Sequence, residues 1–177
     1  MVTLHAAPSD ALSTPFLKDL RTFLADSFPG NFSDEDWAHT IGGIHVWSSD
    51  SAGLVSHASL VERTLQCAGK TVRVGYVEAV ATRASNRRRG YGTAVMKHIG
   101  DLIRNGYELG ALSTGAPGFY APLGWEAWRG PSFVDSPRGR ERTADDDGSI
   151  MILRTPRSPA LDLDQAIICD WRGGEVW

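Results

Sequence analysis

The residues with the clearest chemical potential lie in an arginine- and glycine-rich turn, Arg87-Arg88-Arg89-Gly90-Tyr91-Gly92. An apolar run precedes this turn and an amphipathic helical pattern follows it. The start of a helix presents unpaired backbone N–H groups and the positive end of the helix dipole, which suit a diphosphate. Gly90 and Gly92 allow close approach of the backbone, and the arginines add charge-assisted hydrogen bonds. A solvated basic loop before an ordinary helix is the alternative interpretation.

Two familiar phosphate-binding loops do not fit this turn. A Rossmann turn needs a third glycine two further positions on, and an acidic residue about twenty positions on that ends the next strand. This sequence has no glycine at that position and no acidic residue at the end of the next strand. A Walker A loop needs Gly-Lys followed by Ser or Thr, which is also missing here.

Two further side chains could transfer protons. Glu78 interrupts the apolar segment 74–81, and a carboxylate there is costly to bury unless it is paired or serves chemistry at a cleft. Tyr120 lies in the segment Gly118-Phe119-Tyr120-Ala121-Pro122, where a phenol could act as a general acid. The alternatives are a half-exposed strand position for Glu78 and an ordinary core aromatic for Tyr120.

Several secondary-structure elements must position these groups. Apolar spacing and capping residues predict helices over 16–28, after Ser33, from the basic turn to Gly106, and around 119–120. Alternating patterns predict strands at 43–48, 54–65, 71–82, 107–113, 125–129 and 149–153, with a polar loop from 136 to 148 and a packed tail from 166 to 177. The first three strands should form an antiparallel meander, and the strand–helix–strand order after them should form a right-handed crossover.

Composition limits the classes of function. A chain of 177 residues suits one domain, and 18 basic against 21 acidic residues argue against a nucleic-acid-binding protein. The charge is unevenly distributed, because residues 83–106 hold six basic groups and one acid. Cys67 and Cys169 are far apart and outside any ligand cluster, so they predict neither a disulfide framework nor a structural zinc site. The start of the sequence lacks the pattern of a secretory signal and no apolar run is long enough to span a membrane, so we expect a cytoplasmic protein without membrane contact.

The turn, with Arg87, Gly90 and Gly92 in the defining places, resembles the Gln/Arg-x-x-Gly-x-Gly/Ala signature of the GNAT superfamily of acetyl-CoA-dependent N-acetyltransferases. This resemblance implies an α/β GNAT fold in a single domain over residues 1–177. Its central, mostly antiparallel mixed sheet would be splayed at the acetyl-CoA site and flanked by helices.

Longer blocks resemble one family within that superfamily, the aminoglycoside 2′-N-acetyltransferases. The similar blocks are residues 30–37, 39–45, 75–78, 107–113, 145–148 and the C-terminal 169–177. The resemblance extends from about residue 16 to Trp177, and its most specific part is the C-terminal block.

The resemblance implies a role for each matching position. Glu78 would be the water-mediated base and Tyr120 the acid. Acetyl-CoA would be bound by Val80, Ala81, Thr82, Arg87, Arg88, Arg89, Gly90, Tyr91 and Gly92. The aminoglycoside, a polycation, would be bound by Asp36, Glu78, Ala79, Ser113, Asp145, Asp146, Glu175 and Trp177, without a metal. Both substrates would bind together, with direct attack by the 2′-amine and no acyl-enzyme; a homodimer is an open option.

Three departures from the family pattern lie on the antibiotic side. Asn31 and Glu175 stand where aspartate is expected, and the segment between Ser113 and Tyr120 is about two residues shorter. The resemblance therefore leaves open whether the acceptor is of the gentamicin, tobramycin and kanamycin B type or of the kasugamycin type. A GNAT enzyme acting on a protein or another small amine, and a non-catalytic binding module, are the competing interpretations.

Overall fold

The computed structural model describes residues 2–177, which form four α-helices and ten β-strands. The helices are α1 (Thr14–Ser27), α2 (Asp34–Thr40), α3 (Tyr91–Gly106) and α4 (Pro117–Tyr120). The strands are β1 (Thr3–Pro8), β2 (Ile44–Asp50), β3 (Gly53–Cys67), β4 (Lys70–Thr82), β5 (Leu109–Ser113), β6 (Glu126–Ala127), β7 (Ser132–Ser136), β8 (Gly139–Arg142), β9 (Ile150–Arg154) and β10 (Ile167–Asp170). The predicted helices and the central strands are confirmed, with boundaries shifted by a few residues.

The chain forms two compact units, which we describe separately. The first comprises the chain up to Val61 together with Val77–Ile99, and the second comprises Glu62–Tyr76 and Gly100–Trp177. Strands β3 and β4 and helix α3 therefore contribute residues to both units. The single domain expected over residues 1–177 stays a prediction.

Strands β1 to β4 follow one another in the first unit. Strand β1 pairs with β2, and β2 pairs with β3, in both cases antiparallel. Strand β4 lies beside β3, as the predicted meander requires. Strand β1 was not predicted, because its short sequence carries too weak an alternating pattern to distinguish it from a loop.

Helices α1 and α2 begin at capping residues that the sequence indicates. The Ser13 hydroxyl accepts a hydrogen bond from the backbone N–H of Phe16 at 3.3 Å, and Ser33 forms a reciprocal capping box. Leu20 and Leu24 of α1 are fully buried and pack with Ala81 at the end of β4. These contacts anchor α1 beside the part of β4 that carries the candidate catalytic segment.

The second unit has a mixed sheet. Strand β4 pairs with β5 in parallel, with Val74–Tyr76 opposite Leu109–Ala111, as the predicted strand–helix–strand crossover requires. Strand β10 pairs with β7 in parallel, whereas the pairs β5–β9, β6–β9, β7–β8 and β3–β10 are antiparallel. The fold is thus α/β with a mostly antiparallel mixed sheet.

The polar loop predicted from Ser136 to Gly148 is partly wrong, because Gly139–Arg142 forms β8 in a hairpin with β7. Cross-strand ion pairing accounts for the difference. Arg140 Nε lies 2.8 Å from Asp135 Oδ1, so charged residues typical of loops here support a strand pair.

No helix within residues 2–177 combines the length and apolar character needed to cross a bilayer.

Candidate active site

The basic turn leads directly into helix α3. The first hydrogen bond of the helix runs from the N–H of Ala94 to the Gly90 carbonyl at 2.9 Å, so the N–H groups of Tyr91, Gly92 and Thr93 precede it in the chain. The first turn of α3 contains no acidic residue among the described positions. Gly90 has φ +83°, a left-handed conformation that favours glycine. This geometry suits an anion at the helix start.

The arginines around this turn have different environments. Arg87, Arg88 and Arg89 are exposed, and the Arg87 Nε–H donates to the Thr82 carbonyl at 3.3 Å, which joins the turn to the end of β4. Arg83 is held by Asp50, at 3.2 Å between Nη1 and Oδ2, and donates to the Leu54 carbonyl. Arg83 therefore supports the loop, whereas the three following arginines have accessible guanidinium groups.

Strand β4 is kinked where the sequence places the candidate base. Ala79 has φ +50°, which is costly for an alanine inside a strand. The β3 side chains of Ser59, His57 and Ser56 are hydrogen-bonded to the carbonyls of residues 78, 79 and 81, at 3.4, 3.0 and 2.9 Å. Glu78, Ala79 and Val80 are half-buried. The kink thus lies directly between the predicted base and the predicted pantetheine-binding residues.

Tyr120 is a buried phenol at the end of α4. Its ring packs edge-on against Phe119 and Trp125, with centroids 4.8 and 6.2 Å away. Burial raises the pKa of Tyr120 to about 12, and a hydrogen bond with the Thr114 side chain opposes this shift in part. The phenol is therefore protonated at neutral pH, as a proton donor must be.

Acidic groups cluster in the second unit around Asp146. Partial burial raises the pKa of this carboxyl first of all, and the nearby charges of Glu175, Asp145 and Asp147 raise it further. Asp146, Glu175 and Asp145 were predicted to bind the acceptor. Asp147 differs, because Ser132 and Arg142 bind its carboxylate and hold its pKa well below the usual range. Asp147 is thus already paired, whereas like charges surround Asp146.

Hydroxyl groups link other predicted acceptor ligands to this cluster. The Ser113 and Ser149 hydroxyls lie 2.9 Å apart, and the Ser149 hydroxyl donates to the Asp146 carbonyl at 2.7 Å. Trp177 is buried, and its indole N–H donates to the Thr143 hydroxyl at 2.9 Å. The second unit therefore brings together Ser113, Asp145, Asp146, Glu175 and Trp177.

Asp36 serves a structural purpose in the first unit. Its Oδ2 accepts hydrogen bonds from the Ser33 backbone N–H at 2.8 Å and from the Ser33 hydroxyl at 3.0 Å. These bonds complete the capping box of α2. One carboxylate oxygen of this predicted acceptor ligand is thus engaged in the fold, and a role in acceptor binding stays a prediction.

The sequence reasoning missed a buried arginine that anchors the C-terminal segment. Arg63 is 5% exposed and donates to the Asp170 carboxylate and carbonyl and to the Val176 carbonyl, at 2.8–2.9 Å. Its guanidinium also lies over the Tyr76 ring, 4.7 Å from the centroid. The sequence does carry a signal for this residue, because Arg63 alternates with the apolar residues Val61 and Leu65 and therefore occupies an inward-facing position of its strand.

The two cysteines are buried and chemically inert. Cys67 and Cys169 are buried free thiols, and burial raises the pKa of each to about 11. Both are therefore thiols at neutral pH and unsuited to nucleophilic attack. Among residues 2–177, no group of three or more His, Cys, Asp and Glu side chains could hold a metal ion.

Comparisons with known proteins agree with this geometry. The sequence profile of the acetyltransferase (GNAT) domain matches residues 13–128. An aminoglycoside 2′-N-acetyltransferase from Mycolicibacterium fortuitum is 42% identical over 161 residues, which cover 89% of this chain and 83% of the relative.

Solved structures show the same fold at low identity. A GNAT family N-acetyltransferase of Escherichia coli, YhbS in complex with CoA, superposes with a TM-score of 0.65 at 12% identity, over 95% of this chain and 89% of that one. Eis1 from Mycobacterium abscessus gives a TM-score of 0.61 at 16% identity over 75% of this chain, which spans only 33% of the length of Eis1. A probable N-acyltransferase from Enterococcus faecalis, with a TM-score of 0.61 at 15% identity, likewise matches over 74% of this chain and only 33% of its own length.

The profile match covers more than half of the chain, and the relative at 42% identity aligns with nearly all of it. The chain therefore belongs to the GNAT acetyltransferases, in the family of the aminoglycoside 2′-N-acetyltransferases.

Proposed function

We propose that this chain transfers the acetyl group of acetyl-CoA to the 2′-amino group of an aminoglycoside antibiotic. The acidic cluster around Asp146 is the observation that carries the acceptor assignment, because the fold alone does not specify an acceptor. Aminoglycosides are polycations at neutral pH, and a group of mutually repelling carboxylates is relieved by a bound cation.

The first unit would bind the anionic cosubstrate. The exposed arginines and the helix-start N–H groups of Tyr91 and Gly92 would hold the diphosphate, and the backbone of Val80, Ala81 and Thr82 would hold the pantetheine arm. Acetyl-CoA supplies the thioester whose acetyl group is transferred. The absence of an acidic residue from the first turn of α3 supports this assignment, since a carboxylate there would repel the diphosphate.

Two protein groups would transfer protons. Glu78 would accept, through water, the proton that the 2′-ammonium must lose before its nitrogen attacks the carbonyl carbon. As the new C–N bond forms and the C–S bond breaks, Tyr120 would donate its phenolic proton to the departing thiolate. The Tyr120 phenol is protonated at neutral pH, so the donor carries its proton before the thiolate forms. The inert cysteines support direct transfer without an acyl-enzyme.

Fewer residues bear on the identity of the antibiotic than on the acetyl transfer itself. Asn31 and Glu175 are exposed and differ from the aspartates expected in the family, so both gentamicin-type and kasugamycin-type acceptors remain candidates. We further propose that the enzyme acts in the cytoplasm, where its cosubstrate is formed, and a homodimer remains part of the proposal.

The test measures thiol release from acetyl-CoA with pairs of aminoglycosides that differ only in carrying a 2′-amine or a 2′-hydroxyl. We expect turnover only with the amine-bearing member, and a fall in kcat of about a hundredfold or more in Glu78→Gln, which removes the base. Turnover of both members of a pair would refute the regiochemistry. Acetylation of basic peptides but of no aminoglycoside would favour the competing protein-amine function.

A further inference from the structure

Two fully buried histidines lie side by side on neighbouring strands of the first unit. His45 of β2 and His57 of β3 are both 0% exposed, and His45 Nδ1 lies 3.0 Å from His57 Nε2. Polar rings in such a place need partners for both nitrogens, because an unsatisfied buried nitrogen destabilises the fold. Neither ring takes part in the proton transfers proposed above.

The pair is the centre of a longer hydrogen-bonded chain. At one end, His57 Nδ1 lies 3.0 Å from the Ala79 carbonyl oxygen at the kink of β4. At the other end, the Ser9 hydroxyl lies 2.8 Å from His45 Nε2. Ser9 is itself fixed, because its hydroxyl oxygen accepts the Gly42 N–H at 3.0 Å. This hydrogen-bonded chain therefore extends from Ser9, directly after β1, through β2 and β3 to β4.

The carbonyl at one end of this hydrogen-bonded chain determines which atom carries each proton. A carbonyl can only accept, so His57 Nδ1 carries the proton and donates it to Ala79. The bare Nε2 of His57 then accepts from His45 Nδ1–H, which leaves Nε2 of His45 as an acceptor. The Ser9 hydroxyl proton goes to this nitrogen, 2.8 Å away, rather than to the Gly43 carbonyl, which lies 3.2 Å from the same oxygen. Burial lowers the pKa of His45 to about 4 and that of His57 to about 3, so both rings are neutral, as this arrangement requires.

This hydrogen-bonded chain cannot pass a proton onward, because it ends on the Ala79 carbonyl rather than on an acid or base. What it can do is hold that carbonyl in place. Ala79 is left-handed at φ +50°, a strained conformation for an alanine that neighbouring contacts must offset. The residue before the kink is Glu78, and the residue after it is Val80.

We propose that His57, supported by His45 and Ser9, is a positioning residue that holds the Ala79 kink and thereby fixes the direction of Glu78. This inference rests on the proposed role of Glu78 as the base. His57→Phe keeps the ring volume but removes the donor, so the Ala79 carbonyl loses its partner. We expect kcat to fall about tenfold, which is the loss of one interaction of about 1.4 kcal/mol. His57→Asn places an amide N–H near the original Nδ1 and should recover most of the rate.

A double-mutant cycle separates positioning from general destabilisation. If His57 acts through Glu78, then His57→Phe should lower kcat about tenfold in the native background but less than twofold in Glu78→Gln. Val46→Ala is the matched control, because it truncates a fully buried side chain on the same strand as His45 and destabilises the unit without removing a bond of the chain. It should leave kcat within about twofold at a temperature where both variants are folded.

A measurement without acceptor keeps this inference distinct from the proposed function. Amide hydrogen exchange of the free enzyme should accelerate over residues 76–82 in His57→Phe and stay unchanged there in Val46→Ala. An unchanged exchange pattern, an unaltered kcat, or an equal tenfold loss in both backgrounds would overturn the positioning role. A native enzyme that acetylates no aminoglycoside would instead refute the proposed function, while the exchange measurement would still decide whether His57 holds the kink.

Discussion

Replacing Tyr120 with phenylalanine removes one hydroxyl from a buried side chain and leaves its ring packing against Phe119 and Trp125 intact. The lost hydrogen bond with Thr114 should cost about 1 kcal/mol of folding stability. The loss of a general acid should cost about 10²–10⁴ in kcat, or about 3–5 kcal/mol in the barrier. The effect on activity should therefore clearly exceed the effect on stability.

The pH dependence of stability provides an independent check on the same variant. The pKa of Tyr120 is about 12 in the fold, against an ordinary value of 10.0. Between these values the unfolded chain ionises first, so stability that is complete below pH 10 declines as the pH rises, by about 1.4 kcal/mol per pH unit. Urea unfolding between pH 9 and 12 should show a shallower decline in Tyr120→Phe than in the native chain.

Tyr107→Phe is the matched control for the activity measurement. Tyr107 is half-buried with a raised pKa, its ring lies beside the Arg73 guanidinium, and it has no assigned role in catalysis. We expect its kcat to stay within about twofold of the native value. Native kcat in Tyr120→Phe, or an equal loss of kcat in both variants, would refute the role of Tyr120 as the general acid.

Three further substitutions test the two ligand-binding regions. In Gly90→Ala the added methyl group meets no atom within 4 Å, but the backbone is strained at φ +83°. We therefore expect a loss of about 1 kcal/mol in folding stability and weaker CoA binding by calorimetry. Gly106→Ala, where the added methyl group is also unobstructed, is the control and should bind CoA normally. Asp146→Asn removes a carboxylate whose pKa is raised by burial and like charges, so at neutral pH it should raise stability by roughly 0.5 kcal/mol while raising the acceptor KM; a lower Tm would contradict this reasoning. Arg63→Lys keeps the charge but loses the planar fork that binds Asp170 and Val176, so the acceptor KM should rise while the KM for acetyl-CoA stays constant; parallel changes in both constants would exclude a specific role.

Local signals allowed much of the fold and of the cosubstrate region to be predicted. The capping box of Ser33 and Asp36, and the left-handed Gly90 before α3, each depend on residues only a few positions apart. A local sequence pattern is therefore enough to predict them. The left-handed Ala79 was not foreseeable, because alanine carries no signal for that conformation. Its carbonyl is bound by His57, which lies more than twenty residues away in the sequence.

The contacts that hold the C-terminal segment could not be predicted for a similar reason, because their partners lie far apart in the sequence. Arg63 and Val176 are separated by 113 positions, and Thr143 and Trp177 by 34, so no local pattern relates them. The acidic cluster was found through family resemblance, but its internal division was not. Only the structure distinguishes Asp147, which pairs with Arg142, from Asp146, which has like charges around it.

The position of the acetyl group in the reaction product tests the central claim most directly. The enzyme would be incubated with acetyl-CoA and an aminoglycoside that carries several amines, and the product would be analysed by mass spectrometry and two-dimensional NMR. We predict one added acetyl group, attached to the 2′-nitrogen. Acetylation at another amine of the antibiotic, or an unmodified antibiotic in the presence of active enzyme, would contradict the account.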